Sequence, residues 1–186
     1  MLLRTYGLTG GIGSGKSIVS KIFQTLCLPV YNADREAKRF LLCDEVVQLF
    51  GTTEPRKIAH SVFNDGEKLA ALNSIIHPKV MIDFGEWAMQ FSGLDVPFVL
   101  MESAIIFEAN LASYFDKIIT VEAPIELKIS RVMQRDGITE EDVRKRMAVQ
   151  LPESERVKRA DFVIYNDNRQ AVLPQVLAMM SGVRKF

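Results

Sequence analysis

Residues 10–17 read Gly-Gly-Ile-Gly-Ser-Gly-Lys-Ser and fit the spacing G-x-x-x-x-G-K-[ST]. They follow an apolar run at residues 2–9. They open a helical period over residues 16–26, in which Val19, Ile22, Phe23 and Leu26 share one face. Strand, glycine loop and helix in that order leave few folds open. Glycines let the backbone close around a polyphosphate. Consecutive N–H groups and the start of the helix then form an anion-binding nest. Gly11, Ile12, Gly13, Ser14 and Gly15 supply that nest, Lys16 brings a point charge to the outer phosphates, and Ser17 offers a hydroxyl to Mg²⁺.

The rest of the chain alternates short apolar runs with helical periods, which predicts an α/β fold of the P-loop NTPase kind, a parallel sheet flanked by helices. Further strands are expected at residues 28–32, 97–103, 117–122 and 161–165. Near-continuous apolar runs such as Phe98-Val99-Leu100-Met101 suit strands covered on both faces. A helix over residues 125–135 follows Pro124, and Thr139 before Glu140, Glu141 and Asp142 marks another helix start. Residues 44–91 show helices and no strand, and read as a helical insertion on one edge of the sheet. Residues 1–43 and 92–186 form the core, with a lid over about residues 136–160.

Composition excludes several classes. Lys+Arg and Asp+Glu are both 23, a balance that argues against a dedicated nucleic-acid binder. Two cysteines, Cys27 and Cys43, cannot build a disulfide scaffold and read as buried or free thiols. No run approaches a membrane span, and the opening residues do not read as a signal peptide, so a cytoplasmic protein is expected. The motifs N-K-x-D, D-x-x-G and L-S-G-G-Q are missing, which favours a small-molecule kinase over a GTPase or transport ATPase. Another metabolite or nucleotide kinase, or a nucleotide-dependent switch without turnover, remains as an alternative.

Several charged residues are candidates for the chemistry. Asp34 ends the second strand, where it would face the γ-phosphate and orient or deprotonate a hydroxyl, or hold Mg²⁺ through water. It could equally cap the following helix. Glu102 ends the third strand, where a carboxylate would support the metal, and Glu108 follows one turn on. Arg131 and Arg135 lie four apart on one helical face, and Arg144, Arg146, Arg156 and Arg159 continue the basic series. Arginines that close over the migrating group are what phosphoryl transfer needs, with Arg131 and Arg135 first and Arg146 next.

Taken in order, these segments resemble the dephospho-CoA kinase family. The resemblance is carried by Leu8 to Ser17, Ala33-Asp34 and Leu72-Asn73-Ser74-Ile75-Ile76-His77-Pro78. It continues through Phe107-Glu108, Arg131 to Asp136, Arg146 to Gln150, and Ala160-Asp161 through Asn166. It implies a nucleoside-monophosphate-kinase-like core with a helical acceptor-side domain and a lid. It also implies transfer of the γ-phosphoryl group of ATP to the ribose 3′-hydroxyl of dephospho-CoA, with Mg²⁺. From composition no nucleic-acid or membrane partner is expected, and no obligate protein partner is evident. By position, Asp34 is similar to the family's catalytic aspartate and Arg131 to its transition-state arginine. His77 and Glu108 are similar to acceptor-side residues, and Arg146 and Asn166 to residues on ATP. The chain departs from the family pattern at Asn32, at Lys38, at Ala104-Ile105-Ile106, in Lys79-Val80-Met81 after His77-Pro78, and in a short stretch over residues 42–63.

Overall fold

The computed structural model describes residues 3–63 and 65–183. Residue 2, the expected start of the first strand, residue 64 of the helical insertion, and residues 184–186 lie outside the described residues. Five strands form one sheet in the order β2-β3-β1-β4-β5: β1 (Thr5–Thr9), β2 (Val30–Asn32), β3 (Val99–Glu102), β4 (Lys117–Glu122) and β5 (Phe162–Tyr165). β1 pairs in parallel with β3 and β4, and β4 with β5, so β1 lies at the centre. Its neighbours are strands from later in the chain on either side. That arrangement opens a crevice at the carboxyl ends of the strands.

Period-two alternation divides the sheet's two faces. Tyr6 and Leu8 of β1, Leu100 of β3, Ile119 and Val121 of β4 and Ile164 of β5 point to one face. There they pack on Val19 and Phe23 of α1 (Lys16–Thr25) and on Val176, Met179 and Met180 of α9 (Val172–Val183). The Tyr6 and Phe98 rings stack 4.1 Å apart at 8°. Ile118 faces the other way, against Ile106 and Phe107. Thr120 and Glu122 share its side of β4 by alternation.

The chain divides into two compact units, Met1–Tyr31 with Phe91–Phe186, and Asn32–Gln90. The second begins at Asn32. The reason is local: the 3₁₀ helix Ala37–Leu42 is tied to the long helix of that unit by an ion pair, Arg39 to Asp83 at 2.7 Å. The unit holds α2 (Ala33–Glu36), α3 (Asp44–Phe50), α4 (Pro55–Phe63) and α5 (Gly66–Met89). Asp65 caps α5 by accepting from Lys68 N at 3.0 Å. Leu72, Ile76, Val80, Phe84 and Ala88 make its buried stripe at four-residue spacing. Pro78 sits inside this helix, removing one N–H from its ladder.

The first unit continues with α6 (Ile125–Asp136), α7 (Glu140–Ala148) and α8 (Glu153–Arg159). Thr139 and Asp142 form a reciprocal capping box at the start of α7. Cys27 and Cys43 are free thiols, and Cys27 is exposed rather than buried. Among the described residues no helix is long and apolar enough to cross a membrane.

Candidate active site

The loop between β1 and α1 is built by its glycines. Gly13 (φ 76°) and Gly15 (φ 92°) hold left-handed backbone that residues with a Cβ resist. A Cβ at Gly13 would also strike the carbonyl of Lys128. Gly15 is the N-cap of α1. No side chain caps that helix and no acid stands in its first turn, so its N–H groups are left for an anion. Lys16 Nζ donates to Gly10 O at 2.8 Å, which keeps the ammonium over the loop. Ser17 Oγ donates to Glu102 Oε1 at 3.3 Å. Glu102 reaches that position because Leu8 and Glu102 are register partners at the ends of β1 and β3. Its carboxylate is buried, at 6% exposure. Ser17 and Glu102 form an all-oxygen donor set, which fits a hard dication that keeps most of its own waters.

Arg131 and Asn166 meet on the other flank of the loop. Asn166 Nδ2 donates to Ser14 O at 2.9 Å, and Arg131 Nη1 lies 3.5 Å from both Gly13 O and Ser14 O. Arg131 Nη2 donates to Asn168 Oδ1 at 3.0 Å and to Asn166 Oδ1 at 3.4 Å. The guanidinium is thus placed beside the phosphate loop by two asparagines after β5. Arg135 and Arg146 stand elsewhere. Both pair with Asp136, at 2.6 and 3.1 Å, and their hydrogen bonds, that of Arg135 first, hold its carboxyl below the usual range. Glu108 Oε1 accepts from Leu151 N at 2.9 Å.

Asp34 and His77 belong to the second unit. Asp34 is exposed in the first turn of α2. The cap of α2 is Asn32, whose side chain accepts from Arg35 N at 2.8 Å. The capping role open to Asp34 in the sequence is therefore filled by its neighbour. His77 is half-buried on α5, and burial pushes its imidazole pKa down.

The structure also brings to the loop residues that sequence reasoning did not single out. Gln150 Oε1 accepts from Ile12 N at 2.8 Å. Asn168, with φ 63°, orients Arg131. Glu122 and Lys128 are buried beside the loop with Arg156, which the sequence showed only as one member of a basic series. The one available signal is that Glu122 closes a strand run whose only other charge is at its first residue, Lys117.

A glycine nest at a bare helix start, a lysine over it, a serine–carboxylate pair and a flanking arginine can bind a nucleoside triphosphate. They can also stabilise charge on its outer phosphate. This site on this sheet defines a P-loop kinase of small molecules. A solved shikimate kinase from Bacteroides thetaiotaomicron shares the fold at TM-score 0.57 and 13% identity, covering 97% of this chain and 98% of its own. The Dephospho-CoA kinase family profile matches residues 4–171, and the chain belongs to that family. A Dephospho-CoA kinase of Bacteroides fragilis is 36% identical over 94% of this chain and 90% of its own length. The solved structure of TT1252 from Thermus thermophilus superposes at TM-score 0.86, with 33% identity and 97% of each chain covered.

Proposed function

We propose that the chain catalyses ATP-dependent phosphorylation of the ribose 3′-hydroxyl of dephospho-CoA, giving coenzyme A and ADP in the final step of coenzyme A synthesis. The observation that carries this reading is the family match over residues 4–171, supported by a glycine loop whose Lys16 and Ser17 bond Gly10 O and Glu102 and whose carbonyls lie beside Arg131. In the reaction the bond between the γ-phosphorus and the bridging oxygen of ATP breaks. A bond from the 3′-oxygen to phosphorus forms, the hydroxyl proton leaves to a base, and ADP departs.

The residues divide that work. Residues 11–17 cradle the phosphates, with Lys16 at the outer ones. Ser17, with Glu102 behind it through water, would hold Mg²⁺, which neutralises charge on the phosphate oxygens when bound. Arg131 supplies positive charge where negative charge builds up in transfer. Asp34 is the proton acceptor by its position in the family pattern, and His77 and Glu108 serve the acceptor. Arg146 and Asn166 serve the ATP side by their positions in the family pattern. Asn166 does so through the loop carbonyl it holds. Transfer leaves little covalent work for the protein, so the rate comes from positioning and electrostatics. A cytoplasmic location suits the chemistry, whose substrates are soluble.

ADP release coupled to an optical assay tests the reading. ADP is expected only with both ATP and dephospho-CoA, and none with the 3′-deoxy analogue. Equal release with the deoxy analogue would put the transfer elsewhere and overturn it.

A further inference from the structure

Glu122, the last residue of β4, has no exposed surface. Its carboxylate accepts from Thr120 Oγ1 at 2.9 Å, from Arg156 Nε at 2.8 Å and from Arg156 Nη2 at 3.0 Å. Lys128 Nζ stands 3.7 Å from the same carboxylate and 2.7 Å from Glu153 Oε2. Arg156 and Lys128 are buried as well, at 4% and 3% exposure. Burying charges of this kind is expensive, and apolar residues of similar volume often replace a buried pair at no loss of stability. Stability alone therefore does not account for this one, and what the pair holds becomes the question.

It holds the phosphate loop from behind. An ideal Cβ at Gly11 would lie 2.9 Å from Arg156 Nη2, 3.4 Å from Cζ and 3.7 Å from Nη1, and these are its three nearest atoms. Unlike Gly13 and Gly15, Gly11 has no left-handed backbone that demands glycine. The demand at Gly11 comes from the guanidinium plane. Arg156 Nη1 donates to Leu151 O, and the residue before Leu151, Gln150, accepts from Ile12 N at 2.8 Å. Residues 150–156 thus grip the loop at Gly11 and Ile12 in succession. The fork of Arg156 is engaged at each nitrogen: one edge on Glu122, one nitrogen on Leu151, and one face on Gly11.

We propose that Arg156, anchored on Glu122, is a positioning residue for phosphoryl transfer: it sets the backbone of Gly11 and Ile12 and ties residues 150–156 to the phosphate loop. It acts through the loop and touches no substrate. A lysine would keep the charge but lose the plane and the second donor edge. The proposal rests on the kinase reading above, so its test includes a binding arm that does not depend on the acceptor.

The proteins compared are the wild type, R156K, G11A, G11A/R156K and E122M/R156M. Each is measured for thermal unfolding, for affinity to Mg²⁺ with β,γ-imido-ATP, and for turnover of ATP with dephospho-CoA. E122M/R156M is expected to melt at or near the wild-type temperature while analogue affinity falls about tenfold, because the apolar pair keeps the packing but not the platform. G11A alone is expected to lose about tenfold in affinity, and to lose less than about threefold further in the R156K background, where the space beside Gly11 is open. Equal losses from G11A in both backgrounds would overturn the proposal. So would E122M/R156M with wild-type affinity and turnover, since a merely structural pair predicts that result. If R156K does not fold, E122M/R156M and G11A decide the matter between them. If the wild type binds the analogue but does not phosphorylate dephospho-CoA, the functional reading fails, and the affinities still test the positioning.

Discussion

Arg131 and Arg135 stand about one turn apart on α6, and their surroundings give them different work. Arg131 lies against the carbonyls of Gly13 and Ser14, while Arg135 bonds to the exposed carboxylate beside it. Charge beside the migrating group acts chiefly in the transition state. Arg131→Ala is expected to lower kcat by about a hundredfold with a small change in KM for ATP. Arg135→Ala is expected to change kcat by less than about threefold, since an exposed pair contributes little. Steady-state kinetics at varied ATP checks both, and an equal fall in kcat would bring Arg135 into the site. Asp34 is tested by its closest neutral match. Asn32 already caps α2, so Asp34→Asn leaves that cap intact while it removes the charge and the proton acceptor. Stability within about 1 kcal/mol of wild type is expected, with kcat down by about a hundredfold or more. Full activity in that variant would return Asp34 to a surface role and point to Glu102 or Glu108 as the base.

At the scale of elements, α5 carries a pH dependence. His77 is half-buried on it, and burial favours the neutral ring, so its folded pKa lies below the ordinary value of about 6.5. Above that value neither the folded nor the unfolded chain binds the proton at His77, and its contribution is complete. As pH falls below about 6.5 the unfolded chain takes up the proton first, and stability drops until the folded pKa is passed. Urea unfolding between neutral and mildly acidic pH is expected to show a smaller slope in His77→Gln than in wild type. Equal slopes would mean the ring titrates alike in both states. Elements were read from the sequence where one period dominated. Lys117–Glu122 matches the expected strand residue for residue, and α6 extends one residue past its expected end. Strands are shorter than their apolar runs where proline or surface residues border them: β3 starts at Val99, after Pro97 and Phe98. α5 was harder, because Pro78 signals a helix end to local reasoning, and only its buried four-residue stripe carries the helix through.

For the whole molecule, charge arithmetic misleads about where charges go. Equal totals of 23 acids and 23 bases say nothing of burial, and Arg156 reads in the sequence as one member of a basic series. Folding instead buries Arg156 against Glu122, a pairing 34 residues apart that no local pattern reveals. The phosphate loop was legible because its chemistry lies in consecutive residues. Its supports at Gln150, Asn166 and Asn168 come from distant segments, and only Asn166 was anticipated, through family resemblance. All of these supports lie in the unit Met1–Tyr31 with Phe91–Phe186, so nucleotide binding should stabilise that unit directly. A ligand at about one hundred times its Kd adds about 2.7 kcal/mol to the folded state. For a chain of this length that corresponds to a Tm rise of roughly 5–10 °C. Mg²⁺ with ATP is expected to give a rise of that size, and Lys16→Ala to remove most of it while melting like the wild type without ligand. Chelating the metal is expected to shrink the shift, because Ser17 and Glu102 would then face the phosphates without the cation between them. A shift unchanged by chelation would remove the metal from that oxygen pair, and a shift unchanged in Lys16→Ala would remove the lysine from nucleotide binding.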